Sequence, residues 1–173
     1  MNPYQSLDQR AFWAPSVGRR KPLEIDELWV PKFNLKRKHK ISTFGSCFAQ
    51  HFGRALKANK YNWHITEQAP MGLSDENAQR FNYGIFSART GNIYTVTLFN
   101  QWTSWALGES TPPDEVWEDD NGRFFDPFRP NVEPNGFESR EEVLASRDAT
   151  IEGFRRAILE ADLLVFTLGL TES

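Results

Sequence analysis

Ser46 is the side chain whose neighbours best equip it for chemistry. It stands in Lys40-Ile41-Ser42-Thr43-Phe44-Gly45-Ser46-Cys47-Phe48-Ala49, where an extended run ends in Gly-Ser and a helical period starts at once. Phe48, Phe52, Ala55 and Leu56 recur at helical spacing, with Gln50, Arg54 and Lys57 on the other face. A strand that turns sharply into a helix presents the turn residue at the carboxyl end of a sheet, where open α/β folds hold their ligands. The helix N-terminus adds unpaired N–H groups and partial positive charge, suited to an oxyanion or a phosphate. A serine there is a nucleophile or, more plainly, an N-cap. Gly45 permits the tight turn. Cys47 is a rival nucleophile, because a helix N-terminus lowers a thiol pKa; its plain alternative is a small buried side chain.

These residues need a frame. His39 to Phe44 reads as a strand and Cys47 to Ala58 as a helix, closed by Asn59. Tyr61 to Thr66 alternates like a second strand, so the three elements form a βαβ unit with a parallel sheet and a right-handed crossover. Met71 to Gly91 is a polar loop. Asn92 to Leu107, with Val96, Phe99, Trp102 and Ala106, reads as a helix despite its β-branched residues. Asp120-Asn121-Gly122 between two aromatic runs predicts a β-hairpin, an insertion of about 113–136 that would rim a site. Ser139 and Glu142 form a capping box. The helix it opens carries Leu144, Ile151, Phe154, Ile158 and Ala161 on one face and ends at Asp162. Leu163 to Leu168 is continuously apolar, as in a central parallel strand. Three strands are fewer than a sheet usually has. Residues 1–37, rich in Pro and aromatics and without a sustained period, form an N-terminal arm.

Composition narrows the function classes. The 173 residues suffice for one domain with a real core. A net charge of −3 with scattered basic residues does not suggest nucleic acid; Lys36-Arg37-Lys38-His39-Lys40 reads as a solvated strand entry. The single cysteine precludes an internal disulfide. No apolar run spans a membrane, and Met1 to Pro15 lacks a signal pattern, so a cytoplasmic location is expected. There is no P-loop or Gly-x-Gly-x-x-Gly string for a nucleotide. Neither a metal nor a cofactor is expected. Six Trp and fourteen Phe suit sugar stacking and ordinary packing alike, and so do Trp117, Phe124, Phe125 and Phe128 around the hairpin. Arg89 and Arg129 bind an anionic sugar or an acyl carboxylate, or else sit in surface ion pairs.

Phe44-Gly45-Ser46-Cys47-Phe48-Ala49 resembles the signature of the GSCFA family, a branch similar to the SGNH/GDSL hydrolases. Asn82-Tyr83-Gly84, Ser87 to Thr95, Asp126 to Pro130 and Thr167 to Glu172 resemble that family too, in the right order from about Lys38 onward. The resemblance implies a three-layer SGNH/flavodoxin-like α/β fold over residues 38–173. It also implies a serine esterase or acyltransferase working on acyl, above all acetyl, esters of carbohydrate through an acyl-enzyme on Ser46. Ser46 would contribute its own backbone N–H to an oxyanion hole, and Gly84 a second donor, with Gly91 as runner-up. Gly169-Leu170-Thr171-Glu172 stands where the superfamily has Gly-x-Asn-Asp, so Thr171 would replace an Asn amide as third donor. Loss of one such donor costs on the order of 3 kcal/mol. Arg89, Asn92 and Arg129 would hold the substrate.

The base is missing. The superfamily's Asp-x-x-His pair has no counterpart, since His39, His51 and His64 follow Lys36, Phe48 and Tyr61 at that spacing. His39 opens the strand whose far end carries Ser46, roughly 20 Å away. His51 climbs the helix away from Ser46, and His64 lies in a neighbouring strand. The expectation is therefore the N-terminal part of a longer domain, truncated at its C-terminus and inactive by itself. The alternative is a non-catalytic carbohydrate- or anion-binding domain using the same helix N-terminus.

Overall fold

The structure, a computed structural model, describes residues 2–26 and 28–169. The described residues fall into two compact units, divided between Leu35 and Lys36. The first holds only short helical turns, at Gln9–Ala11, Ala14–Gly18 and Pro22–Glu24. Ser16 donates to the Gln9 carbonyl at 3.0 Å, and Arg20 pairs with Asp26 at 2.8 Å.

The second unit is a mixed α/β structure built on a small parallel pair. Strand β1, Ile41–Gly45, is buried along its whole length and pairs in parallel with β4, Leu163–Thr167. The register runs from Ile41 opposite Leu163 to Gly45 opposite Thr167. Gly45 has φ +132°, and a Cβ there would stand 2.3 Å from the Thr167 carbonyl oxygen. Glycine is thus required twice at this point, for its backbone conformation and for the close approach of β4.

The expected second strand, Tyr61 to Thr66, does not form. It is reduced to one bridge between Ile41 and Trp63. The amides of Trp63 and Ile65 donate to the carbonyls of Tyr61 and Trp63, two residues back, so the chain folds on itself and cannot extend a ladder. Trp63 turns inward instead. Its indole N–H donates to Thr43 Oγ1 at 2.9 Å, and its ring occupies the space that a side chain at Gly53 would need. Three separate segments therefore cover the second edge of β1. Asn62 to His64 pair with Ile41, Ser87 pairs with Thr43, and Ile93 donates to the Gly45 carbonyl at 2.8 Å.

Helix α1, Cys47–Ala58, follows β1 after one residue, and α2, Asp75–Arg80, lies within the expected loop. Helix α3, Val96–Ala106, starts later than the apolar run suggested, because Thr95 caps it by accepting from the Leu98 amide. Trp117–Glu118 (β2) and Phe124–Phe125 (β3) form the expected antiparallel hairpin. Asp119 Oδ1 accepts the amides of Asn121 and Arg123 at 2.9 Å each, which closes the turn.

Helix α4, Arg140–Leu159, starts on Ser139, whose side chain accepts from the Glu142 amide. Glu142 returns the bond to the Glu138 amide rather than to Ser139. The helix stops before Asp162, which instead accepts from the Lys40 amide at 2.8 Å and ties the entries of β4 and β1. Its buried face also differs from the expected one. Val143, Arg147, Thr150, Gly153, Phe154 and Ala157 point inward, with Ile151 and Ile158 on the flank. Two polar residues rule this face because their partners lie on the elements opposite. Phe44, Phe154, Trp102 and Trp105 form the aromatic centre of the core, the first two with rings 4.6 Å apart.

Candidate functional site

The carboxyl end of the β1–β4 pair brings three of the sequence blocks together. Ser46, the N-cap of α1, ends the first block. The segment Gly91 to Tyr94 lies alongside, held by the Ile93 bond to Gly45. Thr167 to Gly169 completes the set, with the Gly169 amide donating to the Tyr94 carbonyl at 2.8 Å. A Cβ at Gly169 would fall 2.5 Å from the Tyr94 ring, so only glycine lets the chain leave β4 by this route.

Ser46 is 6% exposed and makes no side-chain cap bond to its helix. Its hydroxyl instead shares a hydrogen bond of 3.1 Å with Thr167 Oγ1. Its backbone N–H donates to the Thr167 carbonyl at 3.0 Å and to Thr167 Oγ1 at 3.1 Å. The expectation that this N–H serves an oxyanion is therefore corrected: it prolongs the sheet. The next two amides, of Cys47 and Phe48, have no acceptor among the described residues. Their exposed side chains leave the helix end open to solvent.

The other expected site residues divide. Asn92 sits beside Ser46's helix, accepting from Gln50 Nε2 at 3.1 Å and donating to the Tyr94 hydroxyl at 2.8 Å. With Gly91 it lines a cavity of about 270 Å³ together with Gln50, Asn82, Phe86 and Asn131. Ser46 itself is not in that lining. Gly84 lines a different recess, with Lys57, Gln68 and Tyr83, so the runner-up Gly91 is the glycine that shares the Asn92 segment. Thr171 lies outside the described residues.

Arg89 and Arg129 are neither surface ion pairs nor open anion receptors. Arg89, 5% exposed, donates to the Phe81 and Val132 carbonyls, the Tyr83 hydroxyl and Glu133. It clamps two chain segments that wall the cavity. Arg129, 2% exposed, donates to Asp126 at 2.7 Å, Thr150 at 2.5 Å and Ser146 at 3.2 Å. Burial pulls its pKa below the ordinary arginine value while Asp126 pulls the other way. An arginine stays protonated through such a shift.

Sequence reading missed the centre of this network. Asp126 is buried between two guanidiniums, Arg129 and Arg147, the latter at 2.9 Å. Arg147 also donates to the Pro113 and Glu115 carbonyls, which docks the hairpin onto α4. Glu67 accepts from the Arg89 amide and from the Thr150 hydroxyl. The signal was an arginine in the middle of an amphipathic helix, a position that needs a buried partner.

The histidines all stand away from Ser46. His39 accepts from the Lys36 amide in the turn before β1, and His51 contacts Arg54 on the exposed side of α1. His64 donates its amide to the Ile41 carbonyl, at the opposite end of β1. Burial is the main cause that lowers its pKa, with Lys40 adding to it. Among the described residues, no helix is long and apolar enough to cross a membrane.

The sequence model of the GSCFA family matches residues 40–173, from the entry of β1 onward. The chain belongs to the GSCFA family. No curated protein and no solved structure matches it. In GSCFA terms, the five residues that spell the family's name are Gly45, the last of β1, the turn at Ser46 and the first three of α1.

Proposed function

We propose that this GSCFA chain carries the nucleophile of an SGNH-like serine esterase or acyltransferase, in a three-layer α/β domain, acting on acyl esters of carbohydrate, acetyl esters first. The observation that supports this reading is the position of Ser46 Oγ. It stands at the carboxyl end of a parallel pair and at the start of a twelve-residue helix, yet it is not used as a cap. In the proposed reaction Ser46 Oγ bonds to the ester carbonyl carbon and gives its proton to a base. The leaving alkoxide takes that proton, and water or a sugar hydroxyl then removes the acyl group. The Cys47 and Phe48 amides are the proposed donors to the oxyanion.

A base at Ser46 Oγ is required, and Thr167, its hydroxyl partner, is not one. The reading therefore takes the base from outside the described residues, in a longer SGNH-like domain. The proposed setting is cytoplasmic, without a cofactor or nucleic acid. The commitment of the Ser46 N–H to β4 favours a second reading, a domain that binds carbohydrate without chemistry.

A fluorophosphonate label with mass mapping separates the two. The 173-residue chain should label weakly, because an unassisted serine is a poor nucleophile, and the full reading frame strongly. Ser46→Ala should abolish that labelling and Cys47→Ala should leave it. A folded full-length protein that takes no label would overturn the catalytic reading and leave the binding reading standing.

A further inference from the structure

We infer that the cavity lined by Gln50, Asn82, Asn92 and Asn131 is a subsite for one uncharged, polyhydroxylated ring, the size and chemistry of a neutral pyranose. The inference names the sugar side of the proposed reaction and rests on that reading only for its link to Ser46. The argument starts from hydrogen-bonding capacity. Among the described residues, Gln50 spends its Nε2 on Asn92 and keeps Oε1. Asn82 spends Nδ2 on the Asn131 carbonyl and keeps Oδ1. The Tyr94 hydroxyl accepts from Asn92 and keeps its own proton to donate. The Asn131 carboxamide, on the exposed rim, makes no bond among the described residues and offers both a donor and an acceptor. The lining thus presents acceptors and donors side by side. Sugar hydroxyls both donate and accept, whereas a phosphate or carboxylate would demand donors alone.

Charge excludes the ionic alternatives. Among the described residues, Arg129 is the single charged one in the lining, and its guanidinium lies on Asp126 with a fully buried side chain. Phe128, half-buried, supplies apolar surface for a ring face. The walls are also held in advance. Arg89 ties Phe81 to Val132, and the Asn82 amide ties the same two segments once more. A cavity of about 270 Å³ built this way admits one ring without rearrangement.

Saturation-transfer NMR on the 173-residue chain tests this, with methyl β-glucopyranoside, methyl β-glucuronide and glucosamine as probes. Transfer to the neutral glycoside is expected, with binding several-fold weaker for both charged sugars. Asn131→Ala should weaken binding of the neutral glycoside roughly five-fold, the size of one lost hydrogen bond. Asn131→Asp, which keeps size and shape, should turn the preference toward glucosamine. A folded wild-type protein that binds the neutral glycoside but takes no fluorophosphonate label refutes the catalytic reading alone and leaves the subsite standing. Absence of transfer in the folded chain, a preference for the glucuronide, or binding indifferent to both Asn131 variants would overturn the subsite.

Discussion

The two ends of the β1–β4 pair are about 13 Å apart and are built from different chemistry. At the amino end charges do the joining. Lys40 Nζ meets Glu160 at 2.9 Å, the Lys40 amide meets Asp162, and His64 Nε2 is buried 3.6 Å from Glu160 without a hydrogen-bond partner among the described residues. At the carboxyl end, among the described residues, Ser46 has no titratable partner, only hydroxyls, amides and two glycines at close approach. The difference teaches that a histidine next to a strand is not thereby a base for a serine on the same strand. His64 reports on the amino end, and Ser46 answers to Thr167.

The comparison breaks most severely at Gly45. Gly45→Ala places a methyl group on the Thr167 backbone in a conformation that side chains rarely adopt, and should cost about 3 kcal/mol or more. Urea denaturation reads it directly, and a loss below about 1 kcal/mol would show that β4 tolerates a looser contact. Thr167→Val is gentler. It removes the hydroxyl that Ser46 Oγ and N–H both meet, for about 1 kcal/mol of stability. On the proposed catalytic reading the same change should alter the rate of Ser46 labelling, while the distant amino end stays as it was. An unchanged labelling rate would mean that Thr167 does not orient the nucleophile.

The smallest effect sharpens the amino end and has a definite sign. His64 has a folded-state pKa below its ordinary 6.5, chiefly through burial and then through Lys40, with Arg156 in the same sense and Glu160 opposing. Above pH 6.5 the ring is neutral whether the chain is folded or not, and the full stability is present. As the pH falls below 6.5 the unfolded chain takes up a proton first, so stability declines until the folded pKa is passed. His64→Gln should flatten that part of the profile in urea midpoints taken between pH 7.5 and 5.5. A slope that survives in the variant would assign the acid sensitivity to other groups.

Much of this was legible from neighbours in sequence. The change of period at Gly45 located Ser46 and the start of α1, because a turn and a helix N-terminus are settled within a few residues. Asn121-Gly122 announced the hairpin, and Ser139 announced α4, for the same reason. Tertiary structure decided the rest. Tyr61 to Thr66 alternates like a strand, yet Trp63 finds Thr43 and the space over Gly53, and that burial outweighs a ladder. Arg89 and Arg129 looked like residues waiting for an anion, and the anions proved to be Glu133 and Asp126 of the same chain. The Ser46 N–H, expected to face a substrate, was claimed by Thr167, 121 positions away. Periodicity and capping are local and can be read along the chain. Which donor meets which acceptor depends on how distant segments arrive, and burial makes each such pairing obligatory once the core has closed.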